Sequence, residues 1–228
     1  MNTLETTRVA GVLERLFAEA ETADRPFIEQ MLHDAHSGID LVALALAAEA
    51  GDYKGFYRGA AANFLCVSPE FGQLLYICTR AARATRVVEF GTSFGISTIY
   101  LACAVRDNGG GRVISAELEP GKAKRAHEHL AAAGVADIVD VRVGDALDTL
   151  GAGGIGPAVD LVHLDGALSL YKPVLQLLRP SLRPGALVVA ENATPEYLDY
   201  IRDPRQAFTS LTLPLNGARG NELSVFTG

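Results

Sequence analysis

From Arg86 to the C-terminus, short apolar runs alternate with segments of helical period, and this rhythm leaves few folds open. The runs are RVVEF, RVISAE, VDVRVG, VDLVHLD and ALVVAEN, with helices expected after Gly95, Pro120, Ala146, Leu170 and Pro195. Strands that read as continuous Val and Leu are buried on both faces, which requires a parallel sheet covered by helices on each side. EPGKAKRAHEHLAAAG shows one covering helix whole, with Pro120 in its first turn and Gly134 past its last. The ending departs from the rhythm: AFTSLTLPL and ELSVFTG flank the turn-rich NGARGN with no helix between them, so the last strand pair should be antiparallel.

The first third is helical in pattern. Val9, Val12, Leu13, Leu16 and Phe17 form one apolar face, a second helix is expected from about Pro26 through Leu32, and IDLVALALAAEAGD forms a third. Residues 51–69 have glycines, tyrosines and isolated basic residues without a period, and read as a loop, followed by a helix from Pro69 to about Ala82. This divides the chain into a helical arm and lid, residues 1–66, and a main domain, residues 67–228.

With 49% hydrophobic residues the chain can bury a sizeable core. A formal charge of −7 with scattered basic residues argues against nucleic acid as a partner, because phosphate binding needs a basic surface. The run LVALALAA is far shorter than the ~20 residues of a membrane span. Glu5 and Glu14 interrupt any secretory signal, and Cys66, Cys78 and Cys103 have no metal or redox spacing. Reduced core thiols and a cytoplasmic location are the expectation.

The first strand leads through GTSFG, Gly91 to Gly95, into a helix, which presents free backbone N–H groups to a nucleotide or anion. The spacing G-x-x-x-G is neither the dinucleotide fingerprint nor a P-loop, which disfavours an NAD-dependent oxidoreductase. Glu117 ends the second strand, where an acid can accept both hydroxyls of a ribose. Asp145 follows the third strand and Asp165 the fourth, so polar residues recur at the sheet edge where open α/β sheets bind ligands.

Taken in order, VSPEFGQLL, VVEFGTSFGIST, ISAELEP, VGDA, HLDG, LRPGALVVAEN and the closing ELSVFTG resemble the class I S-adenosylmethionine-dependent methyltransferases, in their small catechol O-methyltransferase-like branch. The resemblance implies a doubly wound, Rossmann-like α/β fold: a seven-stranded, mostly parallel sheet with an antiparallel last strand, preceded by N-terminal helices. It also implies that Gly91, Ser93 and Gly95 border the methionine part of the cofactor, with Glu89 and Ser97 near its amino and carboxylate groups. Glu117 would take the ribose, and Asp145 and Ala146 would lie by the adenine. The implied acceptor is a small hydroxylated, aromatic molecule, and a homodimer is expected.

In this branch a divalent cation such as Mg²⁺ acidifies the acceptor, and the positions of its three protein ligands carry Asp165, Glu191 and Asn192 here. Oxygen donors suit a hard ion. Two departures stand out. Glu191 replaces the usual aspartate, and Leu168 occupies the position of the lysine that serves as general base. Either the metal alone acidifies the substrate, with Asp165 at the reacting centre, or another group serves, or the chain binds the cofactor without metal or without catalysis. Among substitutes, His163 lies inside a strand and reads as a core residue, and Lys172 reads as solvated. Tyr53, Lys54 and Tyr57 could close over a substrate.

Overall fold

The apolar runs are continuous because successive side chains of each strand enter different layers. The structure, a computed structural model, describes residues 2–215 and 220–228. Strands β1 (Arg86–Phe90), β2 (Arg112–Glu117), β3 (Val139–Val143), β4 (Val159–Leu164) and β5 (Leu182–Ala190) are parallel, followed by β6 (Phe208–Leu213) and β7 (Asn221–Phe226). The order is β3-β2-β1-β4-β5-β7-β6, with β7 antiparallel to both neighbours. This is the doubly wound sheet expected from the sequence. Residues 216–219, within the NGARGN connection, lie outside the described residues.

Val87, Val113, Leu161 and Val189 point into one core, shared with α1 (Thr7–His36), α3 (Pro69–Ala81), α4 (Ile96–Asp107) and α5 (Pro120–Ala133). Val88, Ile114, Val162 and Val188 point into the other, beneath α6 (Ala146–Gly151), α7 (Tyr171–Leu178) and α8 (Pro195–Ile201). Strand order reverses between β1 and β4, which opens a crevice at their carboxyl ends. Cys66, Cys78 and Cys103 are free thiols, the last two buried. Among the described residues no helix is long and apolar enough to cross a membrane.

Two readings of the N-terminal third need correction. The two helices expected before residue 36 are one, α1, with Pro26 inside it. A proline this deep sacrifices a backbone bond and normally ends a helix. Asp24, which could have capped a new helix led by Pro26, instead accepts the N–H groups of Phe64 (2.7 Å) and Leu65 (2.8 Å) and is buried there. Only the first part of α1 is buried, through Val9, Val12, Leu13, Leu16 and Ala20; residues 25–36 project outward.

The loop expected over residues 51–69 is helical as far as Gly59, because α2 spans Leu41–Gly59. It breaks at Asp52, whose backbone is extended (φ −161°), and restarts at once. The Asp52 side chain accepts the N–H of Gly55 at 2.9 Å and so caps the second half, a capping signal hidden among glycines. Asp40 caps the first half through Val42 and Ala43.

Asp160, near the start of β4, ties three strands together. It accepts the N–H groups of Thr85 and Arg86, both at 2.8 Å, and Nε of Arg183 at 2.5 Å. Burial pushes its carboxyl up, but Arg183 and the two backbone donors outweigh this and hold it below the usual range. The folded state therefore binds this proton more weakly than the unfolded chain. The stabilisation is present above the ordinary value of 3.8 and is lost as pH falls through the lower folded value. Asp160→Asn should lower stability at pH 7 by about 1–3 kcal/mol and flatten the acid-side loss. Thermal melts from about pH 5 to pH 3 check this, and parallel slopes for the two proteins would count against it.

Candidate active site

Beyond the last regular pair of each strand, single backbone bonds extend the ladders and align the chain at the sheet edge. Gly91 and Thr92 both donate to Ala116 O, Gly144 to Glu117 O, Asp165 to Phe90 O and Glu191 to Leu164 O. The polar residues that follow the strands are thereby held in one row. Gly91 has φ +103°, and a Cβ there would stand 2.1 Å from the carbonyl oxygen of Asp165. Only glycine lets the first loop pass so close to the fourth strand.

The turn is fixed from above and below. Ser93 N donates to Glu117 Oε2 at 2.7 Å, and Ser93 Oγ donates to Phe64 O at 2.6 Å. Beneath it, Glu89 is fully buried and accepts the hydroxyls of Ser115 and Thr98. Burial pushes the Glu89 carboxyl up, and these hydroxyls work against that. Gly95, φ +88°, is the N-cap of α4, with Ser97 buried in the first turn.

A cleft of about 640 Å³, including its mouth, opens over this edge. Of the residues that the sequence singles out, Gly91, Ser93, Glu117, Asp145, Ala146 and Asp165 line it, whereas Glu89, Gly95 and Ser97 do not. Glu89 Oε2 is engaged by Ser115 and Thr98 and Gly95 N by Thr92 O, whereas Glu89 Oε1 is buried without a partner among the described residues. Glu117 accepts Ser93 N with one oxygen and Glu119 N (2.9 Å) with the other, which fixes its carboxylate at the cleft wall with acceptor capacity to spare. Burial pushes Glu117 up, opposed by these donors and by Lys122.

Asp145 caps α6 through Leu147 N and is gripped by α2: Tyr53 Oη donates to it, and Lys54 Nζ lies 2.6 Å away. Burial raises its carboxyl, but Lys54, Tyr53 and the Leu147 N–H prevail and lower it. Tyr53 and Tyr57 line the cleft, so the second half of α2 closes over it.

Asp165 stands opposite. Glu191 is its acidic neighbour, and burial, then Glu191, then Glu89 push the proton affinity of the Asp165 carboxyl well up. Glu191 and Asn192 do not line the cleft themselves, and Glu191 meets it through Asp165. Their turn is held by Tyr171 Oη on Glu191 O (2.7 Å) and by Asn192 N on Asn221 Oδ1 (3.1 Å), with Asn192 at φ +54°. Among the described residues, no three His, Cys, Asp or Glu side chains converge as a metal cage. Two neighbouring carboxyls with an amide next in sequence are a donor set of the kind a hard cation accepts.

The proposed substitutes for the missing base separate clearly. His163 is fully buried with Nδ1 on Val189 O, and burial lowers it to about 4, so it is a neutral core residue. Lys172 pairs with Glu196 at 2.8 Å on the surface. Two residues escaped the sequence reading. Glu49 of α2 is 3% exposed and accepts the N–H groups of Leu168 (2.9 Å) and Ser169 (2.7 Å), pinning α2 to the loop after β4. Lys122 is 6% exposed at the cleft wall beside Glu117, and burial lowers its pKa. An acid inside an apolar helical stretch was the available signal for Glu49; Lys122 had none among its charged neighbours.

The family described as Methyltransferase domain matches residues 88–193. A catechol O-methyltransferase of Mycobacterium tuberculosis is 37% identical over 73% of this chain and 71% of its own length. Another, from Niastella koreensis, is 33% identical over 68% of this chain and 67% of its own. The solved O-methyltransferase TomG of Streptomyces achromogenes, in complex with SAM, superposes with a TM-score of 0.65 at 29% identity, covering 72% of this chain and 82% of that one. An O-methyltransferase of Bacillus cereus in complex with SAH gives 0.65 at 26%, covering 75% and 88%. The chain belongs to the catechol O-methyltransferase-like family of S-adenosylmethionine-dependent O-methyltransferases.

Proposed function

We propose that this enzyme methylates a hydroxyl of a small, catechol-like aromatic acceptor, assisted by a divalent cation at Asp165, Glu191 and Asn192. The observation that carries the reading is the pairing of two acids at the sheet edge: Asp165, at the wall of the cleft that Glu117 and Asp145 also line, and its neighbour Glu191. Two neighbouring acids in a half-buried place repel unless a proton or a cation lies between them. The name of the mycobacterial relative supports the acceptor class.

In this mechanism the chain chiefly positions. Gly91 and Ser93 border the methionine part, Glu117 takes the ribose diol, and Asp145 and Ala146 flank the adenine. Glu89, Gly95 and Ser97 keep the turn in shape from below. The acceptor oxygen attacks the sulfonium methyl in line as the carbon–sulfur bond breaks and its electrons return to sulfur. A bound cation would lower the pKa of the acceptor's adjacent oxygens.

Calorimetric titration of S-adenosylhomocysteine into metal-stripped protein, repeated with Mg²⁺ and catechol, tests the proposal. Tight product binding together with a catechol signal that requires metal is expected. Product binding with metal-independent catechol binding would favour a metal-free transferase, the reading that Leu168 supports; absent product binding would overturn the cofactor assignment.

Glu191→Gln separates the cation from catalysis. It removes one of two opposed half-buried acids, so the metal-free protein should melt about 2–4 °C higher, while Mg²⁺ or Mn²⁺ should no longer raise the midpoint. A cation response equal to that of the parent protein would remove Glu191 from the ligand set.

The homodimer rests on Phe27, Ile28, Leu32, Ile39 and Leu44, all exposed on the projecting part of α1, the turn after it and the start of α2. Sedimentation should find a dimer, and a monomer across a wide concentration range would refute it.

A further inference from the structure

An acceptor hydroxyl must lose its proton to become a nucleophile, and the side chain at the family's lysine position, Leu168, is apolar and packed against the second core. The second half of α2 brings another group to the same place. Tyr57 lines the cleft, and its hydroxyl donates to Glu49 Oε1 at 2.8 Å. A phenol has one proton. With that proton committed to Glu49, Tyr57 Oη can only accept a hydrogen bond from the cleft.

We infer that Tyr57 receives the proton of the acceptor hydroxyl and passes its own to Glu49, so that the pair replaces the missing base. The inference rests on the methyl-transfer reading above. In the step, the acceptor O–H bond breaks as a new Tyr57 O–H bond forms, while the former phenolic proton moves to Glu49 Oε1. The acceptor oxygen, now carrying the electron pair, bonds to the methyl carbon, the sulfonium leaves as a neutral thioether, and the Glu49 carboxyl later returns its proton to water. Tyr57 remains a phenol throughout, as fits a group whose burial, with Glu49 and Asp165 nearby, pushes its ionisation far up.

Asp165 belongs to the cation site proposed above, and the other polar groups near the cleft are engaged elsewhere. Tyr53 and Lys54 hold Asp145 at the far end, and Lys122 stands by Glu117 and Ser93. The carboxylate behind Tyr57 is itself held by the N–H groups of Leu168 and Ser169, so the relay is anchored to the backbone of the residue that replaces the lysine.

Tyr57→Phe is the decisive variant, because phenylalanine keeps the ring in the core and leaves the Glu49 clasp intact. A base matters most for a weakly acidic acceptor and little for one already ionised. With catechol, kcat should fall about 100-fold with KM nearly unchanged, whereas with 4-nitrocatechol it should fall less than about fivefold. Affinity for S-adenosylhomocysteine should stay within about twofold of the parent. Glu49→Gln should repeat the split between acceptors. Equal losses for both acceptors would reduce Tyr57 to a packing role, and unchanged rates would overturn the relay while sparing the methyl-transfer reading. A parent protein that methylates neither acceptor would overturn that reading and the relay with it.

Discussion

Replacing Gly91 by alanine should unfold the site rather than trim it. The added Cβ would lie 2.1 Å from Asp165 O, 2.6 Å from its carbonyl carbon and 3.0 Å from Gly166 N. All three are backbone atoms, locked by the bond from Asp165 N to Phe90 O, so no side chain can rotate away. The backbone at φ +103° adds its own penalty for any residue with a Cβ. A loss of at least about 3 kcal/mol is expected, or roughly 6–12 °C in the melting midpoint, with binding of S-adenosylhomocysteine abolished. Gly95→Ala is the control. Its Cβ would meet Ala126 at 3.4 Å and face strain alone, about 1–2 kcal/mol. Thermal melts of both variants decide, and similar shifts would show that conformational strain matters here and the close approach does not.

Among variants that keep the fold, the largest effect on ligand binding is expected at Glu117. Its carboxylate holds Ser93 N and Glu119 N and, in the function proposed above, presents its remaining acceptor sites to the ribose. Glu117→Ala strips both N–H groups of their partner and leaves Lys122 without its neighbouring charge. Hydrogen bonds to a charged group contribute about 1.5–3 kcal/mol each, so affinity for S-adenosylhomocysteine should fall by about 100-fold or more. Calorimetry on the folded variant measures this. A Kd within about fivefold of the parent would mean that the ribose is held elsewhere.

The sheet was legible because a strand buried on both faces has a one-dimensional signature: Val87–Val88 and Leu161–Val162 need no knowledge of their neighbours to be read as core. The row Gly91, Glu117, Asp145 and Asp165 was legible for a related reason, since the ends of parallel strands fall at one edge whatever the loops do. The N-terminal third lacked such a rule. Whether Pro26 ends a helix depended on Asp24, and Asp24 was claimed by two N–H groups some forty residues away. Asp52 both breaks and restarts α2, and within GDYKG a cap is hard to tell from a turn. Glu49 and Tyr57 acquire their meaning only when α2 lies across the loop after β4. That meeting is a tertiary event with no local pattern.

The grip of Tyr53 and Lys54 on Asp145 has a consequence for how this enzyme is regulated by its own ligand. The residue beside which the adenine is expected is also the residue that fastens the N-terminal arm, so arm and nucleotide draw on one carboxylate. Thermodynamic linkage then makes their influence mutual: whatever factor arm closure contributes to nucleotide affinity, occupancy contributes to arm closure. With the adenine placed at Asp145 as proposed above, the arm is a second binding partner for the site, supplied by the same chain at an effective concentration that the short path from Gly59 to Val67 keeps permanently high.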